Sequence, residues 1–282
     1  MTLRSDSPAL LLGCDFSSAP TARKSIVHAV GDAHAAGVRL LRLDRFSSLD
    51  AWCQALKDEP AWIGAFDFPF GLPRELVVEL RWPLQWEALI QHYGGLTRAE
   101  IRNAFSAFCA ARPVGAKFAH RATDGPSGSS PSMKWVNPPV AFMLHAGVPR
   151  LLAAGAALPG LHGPATGSPR VALEGYPGLL ARELIGRRSY KSDKAAAQNA
   201  ARRDARSDLL AALEAGSSRL GLRLFIDDLL REQLIADAKG DCLDAVLCLL
   251  QAAWCAARCG SPGPGYGLPG QMDPVEGWIA TA

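Results

Sequence analysis

Three short apolar runs, far apart in the chain, each close on a carboxylate. Residues 9–16 (Ala-Leu-Leu-Leu-Gly-Cys-Asp-Phe) end at Asp15, Trp62 to Phe68 at Asp67, and Val171-Ala-Leu-Glu at Glu174. Apolar runs this short, bounded by turn residues, are the pattern of strands buried on both faces, which occur in sheets covered by helices on both sides. The chain is thereby directed toward an α/β fold. Acids at the ends of such strands fall at one edge of the sheet, where open α/β sheets place their ligand sites.

The remaining signals arrange themselves around these runs. Ser17 to Lys24 reads as a polar turn, and Ser25 to Val30 and Val38 to Phe46 as second and third strands about a Gly31–Gly37 turn region. Ser48 opens a helix that places Leu49, Trp52, Cys53 and Leu56 on one face and stops at Pro60. From Arg74 to Arg112 the pattern is helical, with Thr97-Arg-Ala-Glu100 as a capping box. Residues 113–138, rich in Gly, Ser and Pro, read as a long loop, followed by a helix near 140–155 and a second Pro/Gly-rich stretch at 159–169. Pro177 opens a helix. Further helices are predicted at 195–215 and 223–237, and a last one from Asp241 to Arg258. This order predicts three consecutive antiparallel strands over 9–46, with 62–68 parallel beside the first. The expected whole is a mixed five-stranded sheet flanked by helices, one domain over 1–282 with a helical and loop insertion at 74–170.

Apolar residues make up 49% of the 282, enough to bury a core without disulfide staples. The seven cysteines are odd in number and form no C-x-x-C, so reduced thiols in a cytoplasmic protein are expected. Leu11-Leu12-Gly13-Cys14 looks like a lipoprotein cleavage box, but the apolar run before it is short for a signal peptide and Asp6 interrupts its approach. Asp244 breaks the longest apolar run, so no membrane span is expected. The net charge of +3 is uneven: residues 187–206 carry +5, including Lys191, Lys194, Arg202 and Arg203, and the rest of the chain −2. A local basic stretch suits a surface for phosphates; a solvated helix face would look the same.

Carboxylates gathered at one sheet edge repel one another, and a divalent cation relieves that repulsion best. Asp15, Asp67, Glu174 and Asp244 are therefore candidate catalytic residues, and Mg²⁺ or Mn²⁺ the candidate cofactor, since two such ions can promote phosphodiester hydrolysis. Each acid also has a structural role open to it. Asp15 and Asp67 precede turns, Glu174 can hold the Tyr176-Pro177 turn, and Asp241 lies where a helix N-cap belongs. Asp244 sits one turn further, beside the apolar stripe Leu243, Val246, Leu247 and Leu250, and needs a partner there. In the long loop, Arg121 and Lys134 are candidate phosphate clamps.

The motifs Gly13-Cys-Asp-Phe-Ser-Ser, Phe66-Asp-Phe-Pro-Phe-Gly-Leu-Pro, Leu173-Glu-Gly-Tyr-Pro, Tyr190-Lys-Ser-Asp-Lys, Gly240-Asp-Cys-Leu-Asp-Ala and Glu276-Gly-Trp-Ile follow in that order. Together, over about residues 10–280, they resemble the family known as domain of unknown function 429 (DUF429), predicted nucleases of the RNase H fold. The resemblance implies an RNase H-like sheet and a metal quartet of Asp15, Asp67, Asp241 and Asp244, similar to that of Holliday-junction resolvases. It further implies hydrolysis of nucleic acid or another phosphodiester substrate. Asp67 stands where many relatives carry Glu, and the 74–170 insertion exceeds that of a minimal resolvase. The same superfold includes ATP-dependent phosphotransferases and ATPases, in which Asp15 with Ser17 and Ser18 would bind phosphate and Mg²⁺. A non-catalytic nucleic-acid-binding protein is a third reading, resting on the basic stretch alone.

Overall fold

The computed structural model describes residues 10–164 and 167–282. Ala9, the first residue of the expected first strand, and Asp6 lie outside the described residues, as does part of the 159–169 stretch. The fold is built on a six-stranded mixed sheet. Strand β1 (Leu10–Asp15) pairs antiparallel with β2 (Ile26–His34), and β2 with β3 (Gly37–Phe46). Strand β4 (Trp62–Phe66) lies parallel beside β1, as the pattern predicts, and β5 (Arg170–Glu174) parallel beside β4.

Three expectations need correction. The sheet has six strands, not five: Arg223–Phe225, expected to begin a helix, forms β6 parallel to the outer edge of β3. Gly37 permits this pairing, because any side chain there would collide with the Arg223 backbone. The 223–237 helix is thus shortened to α9 (Asp228–Ala236), with Asp227 accepting from the Leu230 amide as its cap. The turn between β2 and β3 is far tighter than the Gly31–Gly37 region, since pairing continues past a register shift at Gly31 and a two-pronged Arg39–Asp32 contact joins the strand ends. Finally, the 195–215 segment begins as a single 3₁₀ turn, Ala195–Ala197. Its helix, α8 (Ala200–Ala215), starts only after Asn199, whose side chain accepts from the Arg202 amide.

Strand alternation divides the core between the two faces of the sheet. Leu12, Cys14, Ile26 and Val30 face one side, against Trp52 and Leu56 of α1 (Leu49–Asp58) and the insertion helices. Those helices are α2 (Arg74–Glu79), α3 (Trp86–Gly95), α4 (Arg98–Ala110) and α6 (Val140–Ala153); the short α5 (Asp124–Ser127) lies within the 113–138 loop. Leu11, Val27, Ala29 and Val38 face the other side, against α7 (Pro177–Ile185), α8 and α10 (Asp241–Ala256). Helix α10 lies directly on β1 at Gly13, where a Cβ would overlap the Ala245 carbonyl and the Leu249 amide. That close approach sets the start of α10 beside the end of β1.

All seven cysteines are unpaired, and six are buried. Among the described residues no helix is long and apolar enough to cross a membrane.

Candidate functional site

Strands β1, β4 and β5 run parallel and adjacent, so their terminal acids meet the same edge of the sheet. The Asp67 amide donates to the Cys14 carbonyl (2.9 Å) and the Gly175 amide to that of Phe66 (2.8 Å), carrying the strand alignment into the loops that bear the acids. Helix α10 supplies the fourth side. Its N-cap is Gly240 at φ 76°, not Asp241; Asp237 caps the first turn instead, accepting from the Cys242 amide. Gly240 is needed twice, for its left-handed backbone and because a Cβ would press on the Lys191 side chain. Segment 190–191 can therefore close over the start of α10.

Asp15, Asp67, Asp241 and Asp244 thus line one cavity of about 270 Å³, together with Ser17, Ser18 and Lys191. Asp244 is buried; its carboxylate accepts from the Tyr190 hydroxyl and the Lys191 ammonium. The acids sense one another. Burial, then Asp244, Asp241 and Asp67, push Asp15 well above the usual carboxylate range, with Lys191 opposing. Burial and the Asp244 charge raise Asp67 to about 7, and burial with Asp237 and Asp244 raises Asp241 to about 6. Among the described residues, no three His, Cys, Asp or Glu side chains are arranged to hold a metal ion as they stand. The carboxylates lining the cavity nevertheless offer hard oxygen donors, the chemistry Mg²⁺ and Mn²⁺ favour.

Glu174 ends its strand at the same edge but is held differently. It accepts from both Arg121 guanidinium nitrogens (2.7 and 2.8 Å) and from the Phe70 amide (3.0 Å). Burial raises its pKa, with Arg121 opposing. Arg121, expected to clamp substrate, is buried, and its charge is spent on Glu174 and Asp124. Burial works against the Arg121 charge, but the two carboxylates outweigh it and raise its pKa.

The 113–138 loop is accordingly fixed at its centre. The Ala122 amide donates to Glu276, and Thr123 accepts from the Ile279 amide. Lys134 is half-buried and lines neither this cavity nor its neighbours. Of the basic stretch, only Lys191 reaches the acids. Arg202 turns back onto Ser189 and the Ala197 carbonyl, whereas Lys194 and Arg203 are exposed on the surface.

Two further cavities adjoin the acidic one. The first, about 220 Å³, has apolar walls and shares Asp67, Pro138, Met143 and Lys191. The second, about 640 Å³, shares Ser25 and Lys239 and adds Arg23 and Arg45. Arg23, Arg45 and Lys239 escaped sequence reasoning because they come from three separate segments with no local charge run.

Fold and site together define a mixed α/β protein with a carboxylate-lined cavity at the carboxyl edge of its parallel strands. The chain belongs to the DUF429 family, described as proteins of unknown function, whose model matches residues 13–265. No curated protein and no solved structure matches it.

Proposed function

We propose that this protein is an RNase H-like, divalent-metal-dependent nuclease that hydrolyses phosphodiester bonds. One observation carries the reading: four aspartates from three strand and helix ends line a single cavity, and their mutual repulsion makes a cation the natural complement. The order β5-β4-β1-β2-β3, with β1 to β3 antiparallel and β4 and β5 parallel to β1, supports the RNase H-like assignment. Asp15, Asp67, Asp241 and Asp244 would hold Mg²⁺ or Mn²⁺, which supplies Lewis-acid polarisation of a phosphate and of an attacking water. The reading requires Asp244 to exchange its Lys191 contact for the ion, leaving the partly exposed Lys191 ammonium to meet substrate phosphate. Ser17 and Ser18 add hydroxyl donors to the same wall. Glu174 acts as a buried anchor for the 113–138 loop rather than as a further ligand.

The test is a panel of single- and double-stranded DNA and RNA incubated with Mg²⁺ or Mn²⁺. Cleavage is expected from the native chain and should vanish in Asp15→Asn and Asp244→Asn, with both variants still folded. A chain that cleaves nothing, yet is stabilised against heat by ATP with Mg²⁺ through ligand linkage, would instead be an ATP-dependent phosphotransferase or ATPase.

A further inference from the structure

The three adjoining cavities differ in chemistry, and their order is the informative point. The acidic cavity lies in the middle. On one side is the small pocket, walled largely by Phe68, Pro69, Val140, Met143 and Tyr176; Ser129, Ser130, the paired Arg121 and Glu174, and Asp67 and Lys191 at the border with the acidic cavity are its polar groups. The Tyr176 ring is steadied by the Arg182 guanidinium over it, 5.3 Å from the centroid, and by its hydroxyl donating to the Gly128 carbonyl (3.3 Å). At about 220 Å³ the pocket lies below the range of drug-sized ligand sites, on the scale of one planar ring system. On the other side is the basic cavity, where Arg23, Arg45 and Lys239 face the single carboxylate of Asp237. Arg45 is poised by Ser25, to which it donates at 3.3 Å, and Asp237 stands 3.9 Å from it. Three cations against this one carboxylate, which also accepts from the Cys242 amide, leave the cavity an excess of positive charge.

An acidic centre with a cationic cavity on one side and an apolar ring pocket on the other matches the repeating unit of an extended nucleic acid strand. We propose that the substrate is single-stranded nucleic acid, lying across all three cavities. One unpaired base enters the apolar pocket, the adjacent phosphodiester meets the acids, and the next phosphate rests on Arg23, Arg45 and Lys239. A base stacked and paired within a duplex cannot enter such a pocket, whereas an unpaired base offers both a ring face to the apolar walls and free edges to the serines. This inference rests on the nuclease reading but is separable from it, because it concerns binding.

Fluorescence anisotropy with a labelled eight-nucleotide single strand and its blunt duplex tests it, with Ca²⁺ occupying the acids so that binding is read without turnover. The single strand is expected to bind at least about tenfold tighter than the duplex, the worth of one stacked base. In the Arg23→Gln/Lys239→Gln double variant the log–log salt slope should fall by about 1.4, two single-strand phosphate contacts at about 0.7 each. Val140→Trp, which fills the apolar pocket, should weaken binding by at least about tenfold while leaving the salt slope unchanged. Ser130→Trp on the opposite loop gives the same readout should the helix variant fail to fold. Equal or tighter binding of the duplex overturns the proposal, as does an unchanged salt slope in the double variant. So does native affinity in both pocket-filling variants. Single-strand binding without cleavage under any metal would refute the nuclease reading and leave this inference standing. Duplex cleavage without single-strand binding would do the reverse.

Discussion

Replacing Arg121 by Met tests whether that residue builds the site or serves substrate. Its guanidinium makes two charge-assisted bonds to Glu174 (2.7 and 2.8 Å), one to Asp124 (3.1 Å) and one to the Glu276 carbonyl (3.1 Å), all in the protein interior. The substitution keeps a similar apolar stem but leaves two buried carboxylates without a cation. Stranding one partner of a buried pair costs about 3–5 kcal/mol, a large share of a typical stability of about 5–15 kcal/mol. With a urea m-value of about 3 kcal/mol/M, the unfolding midpoint should fall by roughly 1–1.7 M. The loss should shrink at low pH: without Arg121 the already raised folded-state pKa of Glu174 climbs further, and protonation below that value relieves the buried charge. Arg121→Met/Glu174→Gln should recover at least half of the midpoint. Urea unfolding followed by far-UV circular dichroism at pH 5 and pH 8 measures each quantity. A single variant within about 0.5 kcal/mol of native, the range of an ordinary surface change, would refute the structural assignment and return Arg121 to substrate binding.

Other outcomes follow from the same geometry. Asp67 has its folded pKa raised to about 7, so it lowers stability increasingly as pH rises from about 4 through 7; Asp67→Asn should stabilise the metal-free protein by up to roughly 4 kcal/mol at pH 8 and little at pH 4, read by thermal melts. His28 behaves oppositely. Its Nε2 accepts from the Trp52 indole (2.6 Å), and burial followed by the Arg42 charge holds its pKa down at about 3. Stability from the neutral imidazole is complete above about pH 6.5 and is lost as pH falls toward 3, so the native chain should lose roughly 3 kcal/mol more than His28→Met between pH 7 and 4.5. Finally, Gly13→Val should abolish cooperative unfolding or cost more than about 3 kcal/mol, beyond ordinary overpacking, because its clash is with the α10 backbone; a cost below 1 kcal/mol would show that α10 does not depend on that approach.

How far the sequence reaches is clearest at Asp15 and Arg121. Apolar runs ending on acids placed Asp15 and Asp67 at one sheet edge, because strand burial and strand termination are local properties that period and turn residues encode. The same locality made the Ser48 and Thr97 caps legible, and both form, the Thr97–Glu100 pair as a full capping box. The three-residue strand β6 was not legible, since it is defined by pairing with a distant strand edge. Arg121 carried no mark of burial in its own segment. Its fate is set by Glu174, 53 residues away, and by the C-terminal segment that closes over the 113–138 loop. Charge density is equally blind to distance: of the basic stretch only Lys191 reaches the acids, whereas Arg23, Arg45 and Lys239 collect into one cavity from separate segments. The sequence by itself determined where β1, β4 and β5 end and where the helices capped by Ser48 and Thr97 start. Only the tertiary structure decided which charges neutralise one another, because electrostatic partnership depends on distance through space and on exclusion of water, and neither is a function of separation along the chain.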